Sequence, residues 1–296
     1  MKTGTIILNG GIGNQLFQYC MGLYIKKKLK INKIYIDSFL FFKLKNPYGR
    51  KFILKHLGIV CQNVPYRQRL LNYLRLSSFW KYLQAFALFS TYINLFDRDN
   101  AFVKPIIQKN FNNILLFGYF QNFKVVQSVR NVILKSIKLP VPKNQKILDL
   151  ALRLMNTDSV AIGIRSYEET VNPQMYSSTH EEACPQHYTA ELSRIIKYLK
   201  TPLVLLFSTK NTEFLTRIKV PCEHINIPEI FPEISELDAL WLLTRCQHHI
   251  FNNSTFYWWG AFLSDQNYKG FKKRRFISIK NNFINRNVYP PSWKKF

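Results

Sequence analysis

Two polar turns in this sequence have the composition of sites that bind anions and sugar hydroxyls. The first follows an apolar strand pattern and precedes a helix that we expect to begin near Leu16. It contains Gly11, Gly13, Asn14 and Gln15. Glycines let a ligand approach the backbone closely, and side-chain amides bind hydroxyl groups. We therefore expect these four residues to line a cleft or an acceptor site, and the alternative is a tight structural turn.

The second polar turn follows the apolar strand pattern that ends at Phe251. It contains Asn253, Ser254 and Thr255, and an aromatic helix is expected directly after it. The first backbone N–H groups of a helix have no partner within the helix, so such a turn binds phosphate readily. We predict that this turn binds the phosphate of a donor substrate such as a sugar nucleotide. The aromatic residues that follow are expected to pack the helix rather than to contact a ligand.

Arg165 directly follows an apolar strand pattern over residues 159–164. A guanidinium at the carboxyl end of a parallel strand faces the usual ligand crevice, where it can hold a phosphate with two hydrogen bonds. Glu168 is close in sequence and is our candidate for the catalytic base. The alternative for Glu168 is an ordinary surface loop.

Two further polar residues are candidates for nucleotide binding. Ser208 ends a buried strand pattern over residues 202–207, where it could contact the nucleotide or cap the next helix. Asp238 lies on the apolar periodicity of a predicted helix. A buried acid needs partners such as base or ribose donors or a capping amide.

The sequence offers little for a metal ion. Asp97 and Asp99 form a D-x-D pattern, which some glycosyltransferases use to hold a cation, but they follow no clear strand and are interpreted as a solvated turn. Cys246, His248 and His249 are too close in sequence to converge on zinc. The five cysteines have scattered spacings, which favours a reduced cytosolic protein. We expect no cofactor and no metal.

The order of elements predicts an α/β fold. Strand and helix patterns alternate in two runs, and a Pro-Val-Pro sequence near residue 140 separates them. Residues 66–95 are expected to be helical. Such alternation implies parallel sheets in two doubly wound, Rossmann-like domains that face a cleft. We place the domains at residues 1–155 and 156–296.

Charge is distributed unevenly along the chain. Residues 1–150 contain 24 Lys and Arg against four acidic residues, and the remainder contains 18 against 13. This predicts a phosphate-bearing partner, which could be nucleic acid, an anionic membrane or a pyrophosphate-linked substrate. The aromatic stretch 82–96 is too short and polar to span a bilayer, and it could lie on a membrane surface or be a core helix.

Four segments resemble the motifs of one enzyme family. Residues 10–19 match G-G-x-G-N-Q-x-F-Q-Y, residues 118–121 match G-Y-[WF]-Q, Phe207 and Ser208 match F-S-D in part, and residues 253–261 resemble N-S-S-F-S-W-W-G-A. In this order and at these separations they resemble the α-1,2-fucosyltransferases of glycosyltransferase family 11.

This resemblance implies a GT-B fold and metal-independent, inverting transfer of L-fucose from GDP-β-L-fucose to a galactose-type hydroxyl. It implies acceptor binding in the N-terminal domain and GDP binding in the C-terminal one, during synthesis of a surface polysaccharide such as an O-antigen. The basic N-terminal half suits a glycan acceptor on a lipid pyrophosphate. The expected location is cytoplasmic, including the inner face of the plasma membrane.

One segment departs from the family pattern. The family's H-x-R-R-x-D-Y falls on residues 163–169, where Arg165 matches the first Arg but Gly163 replaces the His and Ser166 the second Arg. A different donor sugar or linkage is therefore an alternative. A basic nucleic-acid-binding protein is a further alternative, but no module of that class is recognisable and we expect no nucleic-acid partner.

Overall fold

A computed structural model of the chain describes residues 2–42, 50–76, 92–96, 112–165, 184–208, 213–268, 275–280 and 286–296. The chain divides into two compact units, Met1–Lys138 and Leu139–Phe296. The boundary precedes residue 155 because the helix Gln145–Met155 packs against the sheet of the second unit. Along the described parts of the chain, no helix has both the length and the apolar character that a membrane span needs.

The first unit is built on a parallel sheet with the strand order β2-β1-β4-β3. Its strands are β1 (Thr3–Ile7), β2 (Lys33–Asp37), β3 (Tyr92–Phe96) and β4 (Asn113–Phe117). Its helices are α1 (Ile12–Lys28), α2 (Tyr66–Leu76), α3 (Phe123–Ser128) and α4 (Arg130–Ser136), with 3-10 turns at Phe39–Phe42 and Leu54–Leu57. The inner strands are short apolar runs because a parallel sheet is buried on both faces.

The second unit contains a six-stranded parallel sheet with the order β10-β9-β8-β5-β6-β7. Its strands are β5 (Asp158–Gly163), β6 (Pro202–Phe207), β7 (His224–Asn226), β8 (His248–Phe251), β9 (Ile277–Ile279) and β10 (Lys294–Lys295). Its helices are α5 (Gln145–Met155), α6 (Pro185–Ile196), α7 (Glu213–Thr216), α8 (Ile227–Ile230), α9 (Glu236–Leu243) and α10 (Thr255–Ser264).

The predicted α/β class and parallel sheets are confirmed. Strand β6 has the predicted bounds, and β8 ends at Phe251 as predicted. The continuous helix expected over 66–95 is wrong at its end, because residues 92–96 pair with β4 as an edge strand. The remainder of that stretch, 77–91, lies outside the described residues, as does the D-x-D pattern at 97–99.

An ionic cluster around a buried carboxylate ties helix α6 to the far edge of the second sheet. Glu191 is buried, and its carboxylate accepts hydrogen bonds from Arg194 on α6, Ser278 on β9 and Lys294 on β10. Burial alone would raise the pKa of Glu191, but these three donors outweigh it and lower the pKa below its usual value. The carboxylate is therefore charged at neutral pH and holds β10 in the sheet.

We expect Glu191→Ala to lower the free energy of unfolding by about 2 kcal/mol, since it removes the charged acceptor of the Ser278 hydroxyl and of two partly exposed cations. The folded-state pKa of Glu191 is lowered, so its stabilisation is present above the usual carboxyl pKa and is lost as pH falls through the folded value. Urea unfolding of both proteins at several pH values measures this. A stability difference that stays constant down to strongly acidic pH would contradict the assignment.

Candidate active site

The carboxyl ends of β5 and β8 meet at the point where the chain reverses its direction across the second sheet. From β5 the chain continues through β6 to β7 on one side, whereas β8 lies on the other side of β5 and leads to β9. In open parallel sheets, ligands bind outside the carboxyl ends of the strands at such a switch point. Arg165 follows β5 here, and Asn253 and Ser254 follow β8.

The backbone of Arg165 is held by a reciprocal pair of hydrogen bonds with Asn252. The Arg165 N–H donates to Asn252 Oδ1 at 2.8 Å, and Asn252 Nδ2 donates to the Arg165 carbonyl at 2.9 Å. Asn252 is buried, while Arg165 is partly exposed. This pair fixes where the Arg165 side chain begins. Sequence reasoning missed Asn252 as a site residue, although its place directly after a buried strand was a usable signal.

Gly163 is required by the ring of Tyr257 on the neighbouring element. A Cβ added to Gly163 would lie 2.4 Å from Cγ of Tyr257, far inside van der Waals contact. The Tyr257 hydroxyl also donates to the carbonyl of Ile164 at 3.3 Å. The ring therefore packs on one side of the strand end that carries Arg165. Both positions differ from the motifs described above, which have a His where Gly163 stands and a Ser where Tyr257 stands.

Helix α10 presents its N-terminus at the same edge of the sheet. Ser254 is the N-cap residue, but its side chain makes no capping hydrogen bond, so the amides of the first turn are not capped by it. The expected packing role of the aromatic residues is confirmed. Trp258 stacks on Phe262 with ring centroids 5.2 Å apart and donates to the Val288 carbonyl. The helix is anchored rigidly behind its polar start.

The other predicted donor-side residues have different surroundings. Ser208 follows β6, the neighbour of β5, and is partly exposed. Asp238 was expected to be buried, but it is only partly buried, in the first turn of α9, where its N–H donates to Ser235. A carboxylate there interacts favourably with the helix dipole, so no buried partner is needed. Glu168 lies outside the described residues, and its role stays a prediction.

The first polar turn is shorter than predicted, because helix α1 begins at Ile12 rather than near Leu16. Gly11 is the N-cap residue, and Gly13 is buried in the first helical turn. Gly10 has φ of +76°, a left-handed conformation that favours glycine. Gly11 faces a cation, since a Cβ added there would lie 3.8 Å from the guanidinium of Arg50.

Gln15 has a structural role, which corrects the expectation that its side-chain amide binds the acceptor substrate. Its side chain is fully buried; Nε2 donates to the carbonyls of Gly10 and Lys51, and Oε1 accepts from the Ile53 N–H. These bonds tie the turn to the segment that follows residue 50. The sequence pattern indicated a side-chain amide that could bind a hydroxyl, but backbone groups occupy its hydrogen-bonding atoms.

Asn14 connects the two motifs of the first unit. Its Oδ1 accepts a hydrogen bond from Nε2 of Gln121 at 3.1 Å, and Gln18 donates to the Gly118 carbonyl at 2.9 Å. The start of helix α1 is thus joined to the turn after β4, the strand next to β1, at the carboxyl edge of the sheet. Asn14 and Gly11 are the members of the predicted acceptor group that remain partly exposed.

The adjacent histidines after Cys246 are part of the core. His249 Nε2 lies 3.1 Å from both the Cys246 carbonyl and the Ser264 hydroxyl, and His248 Nδ1 accepts from the Phe276 N–H. Burial, together with nearby Arg275, lowers the pKa of His249 well below its usual range, so the ring is neutral. Among the described residues, no group of three His, Cys, Asp or Glu side chains could hold a metal ion.

Two parallel α/β units with polar turns at the carboxyl ends of their strands are the architecture of GT-B glycosyltransferases. The family model described as "Glycosyl transferase family 11" matches residues 3–294. The chain belongs to this family, and the resemblance drawn from its motifs is confirmed.

Known relatives agree with this membership. The chain is 24% identical to the O-antigen biosynthesis glycosyltransferase WbnK of Escherichia coli, over 87% of this chain and 89% of the relative. It is also 24% identical to an α-1,2-colitosyltransferase of Escherichia coli, over 87% and 86% of the two chains. The crystal structure of NodZ α-1,6-fucosyltransferase soaked with GDP-fucose shares the fold, with a TM-score of 0.52 and 14% identity over 89% of this chain and 92% of the other.

Proposed function

We propose that the protein transfers L-fucose from GDP-β-L-fucose to a galactose-type hydroxyl, with inversion and formation of an α-1,2 linkage. The main observation behind this proposal is the Arg165–Asn252 pair. It holds the Arg165 cation at the switch point of the second sheet, after β5. The neighbouring strand β8 leads into α10. Family membership and a relative named for O-antigen biosynthesis support a role in surface polysaccharide synthesis.

The chemistry requires stabilisation of a leaving diphosphate. As the fucosyl C1–O bond breaks, negative charge grows on the β-phosphate and the sugar becomes oxocarbenium-like. Arg165, the first amides of α10 and the hydroxyls of Ser254 and Thr255 would stabilise that charge. The acceptor hydroxyl attacks C1 from the opposite face and gives its proton to a base, for which Glu168 is our candidate. We propose no role for a divalent cation, because these groups supply the positive field that stabilises the leaving diphosphate.

On the acceptor side, Gly11 and Asn14 of the first unit are the residues we propose to face the glycan. Both are partly exposed, Gly11 at the N-cap of α1 and Asn14 in the first turn of that helix, and Arg50 adds a cation beside Gly11. The strongly basic first unit suits an acceptor that is carried on a lipid pyrophosphate at the inner face of the plasma membrane. Ser208 and Asn253 complete the proposed contacts of the second unit with GDP.

A second candidate keeps the fold and the site but changes the sugar. One relative is named as an α-1,2-colitosyltransferase, and colitose is the 3-deoxy form of L-fucose. Gly163 and Tyr257 alter the surroundings of Arg165 relative to the family motifs. These differences support testing GDP-linked 3-deoxyfucose beside GDP-fucose.

The test is a donor screen with the purified protein, a soluble galactose-terminated acceptor and a chelator. We expect transfer from GDP-fucose or its 3-deoxy form, with an α-1,2 product linkage. GDP should stabilise the protein against unfolding, by about 2.7 kcal/mol at one hundred times its dissociation constant, whereas UDP should not. Transfer from UDP-sugars alone, or dependence on a divalent cation, would overturn the proposal. Stabilisation by oligonucleotides but not by GDP would favour a nucleic-acid-binding protein.

A further inference from the structure

Helix α2 of the first unit is oriented with its polar side inward. Gln68 donates to the hydroxyl of Thr5 on β1 at 3.1 Å, and Arg69 Nε lies 3.3 Å from a carboxylate oxygen of the buried Asp37. Asn72 is buried on the same side. The buried polar groups of Thr5, in the middle of β1, and Asp37, at the end of β2, therefore determine which side of the helix faces the protein.

The outward side of α2 is apolar in consequence. Tyr66, Leu70 and Leu74 recur every four residues and form one stripe, with exposures of 77%, 56% and 44%. Leu71 flanks the stripe, and Phe42, which is 75% exposed, belongs to the turn whose Phe39 packs against Tyr73 of the helix. We call Tyr66, Leu70, Leu71 and Leu74 the outward face of α2. Contiguous exposed apolar surface of this kind marks an interaction site.

Charge identifies the partner of this face. Asp37 is the only acidic residue among the described residues of the first unit, and it is buried beside Arg69. The described surface of this unit thus has exposed lysines and arginines, including Arg67 on α2, and no exposed carboxylate. Anionic lipid head groups attract such a surface, and the adjoining hydrocarbon accepts the leucines. Nucleic acid would satisfy the charges but not the leucine stripe.

We propose that the outward face of α2 docks the protein on an anionic lipid surface, with Tyr66, Leu70 and Leu74 entering the interface between head groups and acyl chains. This proposal deepens the proposed function, because it assigns the element that brings the enzyme to a lipid-borne acceptor. It rests on the proposed function for that acceptor. Exposed cations around the helix would then lie at the level of the lipid phosphates.

The experiment uses the full chain and sedimentation with vesicles of phosphatidylcholine, with or without phosphatidylglycerol. We expect binding to the vesicles that contain phosphatidylglycerol, and weakening of that binding by added salt. Leu70→Gln combined with Leu74→Gln should lower the partition coefficient at least about tenfold. The matched control is Leu152→Gln, at a 63% exposed leucine on α5 of the second unit, and it should bind as wild type does.

Three results would overturn the proposal. The first is equal partitioning of the double variant and the wild type, and the second is equal binding to vesicles of phosphatidylcholine alone. The third is self-association of the wild type that the double variant abolishes, with no binding to vesicles. The double variant should also retain thermal stability and transfer to a soluble acceptor, and loss of either would assign the face to folding or catalysis instead. Vesicle binding by a wild-type protein that lacks fucosyl transfer would refute the proposed function and leave the docking face intact.

Discussion

Arg165→Ala is expected to lower kcat for sugar transfer by about 10²–10³-fold, the usual cost of removing one donor that stabilises developing charge. The Asn252 amide bonds to the backbone of Arg165, and the substitution leaves that backbone in place. The thermal transition should therefore stay near that of the wild type. Steady-state kinetics with GDP-fucose, combined with thermal unfolding, measures both quantities.

Two further variants sharpen the test of Arg165. Arg165→Lys keeps the charge but not the planar fork that binds phosphate with two hydrogen bonds, so we expect it to recover only part of the loss. Arg153→Ala is the matched control, because it removes an arginine from an exposed ion pair with Glu223 on the same unit. That control should be near wild type in rate and stability. Full activity in Arg165→Ala would refute the phosphate-binding role.

Gly163→Ala is expected to lower the free energy of unfolding by about 2–3 kcal/mol, because the new methyl group would overlap the Tyr257 ring. The overlap must be relieved by moving the ring or the end of β5, and Arg165 lies two residues further along. We therefore expect the transfer rate to fall as well. Urea unfolding and kcat are the measurements, made on the same preparation.

Changes at Tyr257 separate this steric explanation from others. Tyr257→Ser removes the ring, and in that background Gly163→Ala should cost at least about 1.5 kcal/mol less than it does alone. Tyr257→Phe is the matched control, since it removes the hydroxyl bond to Ile164 but keeps the ring atoms that cause the overlap. If Tyr257→Phe relieved Gly163→Ala as well as Tyr257→Ser does, ring overlap would not be the cause.

Much of the fold followed from the sequence because buried parallel strands are short apolar runs with clear ends. Pro202–Phe207 and His248–Phe251 are such runs, and the bounds of the first and the end of the second were predicted correctly. The strand Tyr92–Phe96 was not, since its pairing with β4 is a long-range contact that local periodicity does not report. Likewise, the periodicity of α2 indicates two faces but not which one meets the protein; the partners Thr5 and Asp37 decide that.

The parts of the candidate site that lie at the ends of strands could be predicted from the sequence. The parts in which side chains hydrogen-bond to backbone groups could not. Arg165 and Ser254 lie at the expected edge because the carboxyl ends of parallel strands coincide. Gln15 had the right chemistry for a sugar hydroxyl, yet three backbone groups use its amide. Asn252 was overlooked beside Asn253, since only the pairing of β5 with β8 shows that it faces Arg165.

The absence of exposed carboxylates from the described surface of the first unit also determines how that surface responds to its medium. Apart from His56, its exposed charged groups are lysines and arginines. With no carboxylate of the described surface beside them to neutralise their field, the ions of the medium are what screens these cations. The reach of the field is therefore set by ionic strength, because the screening length is about 8 Å at physiological salt and shortens as salt rises.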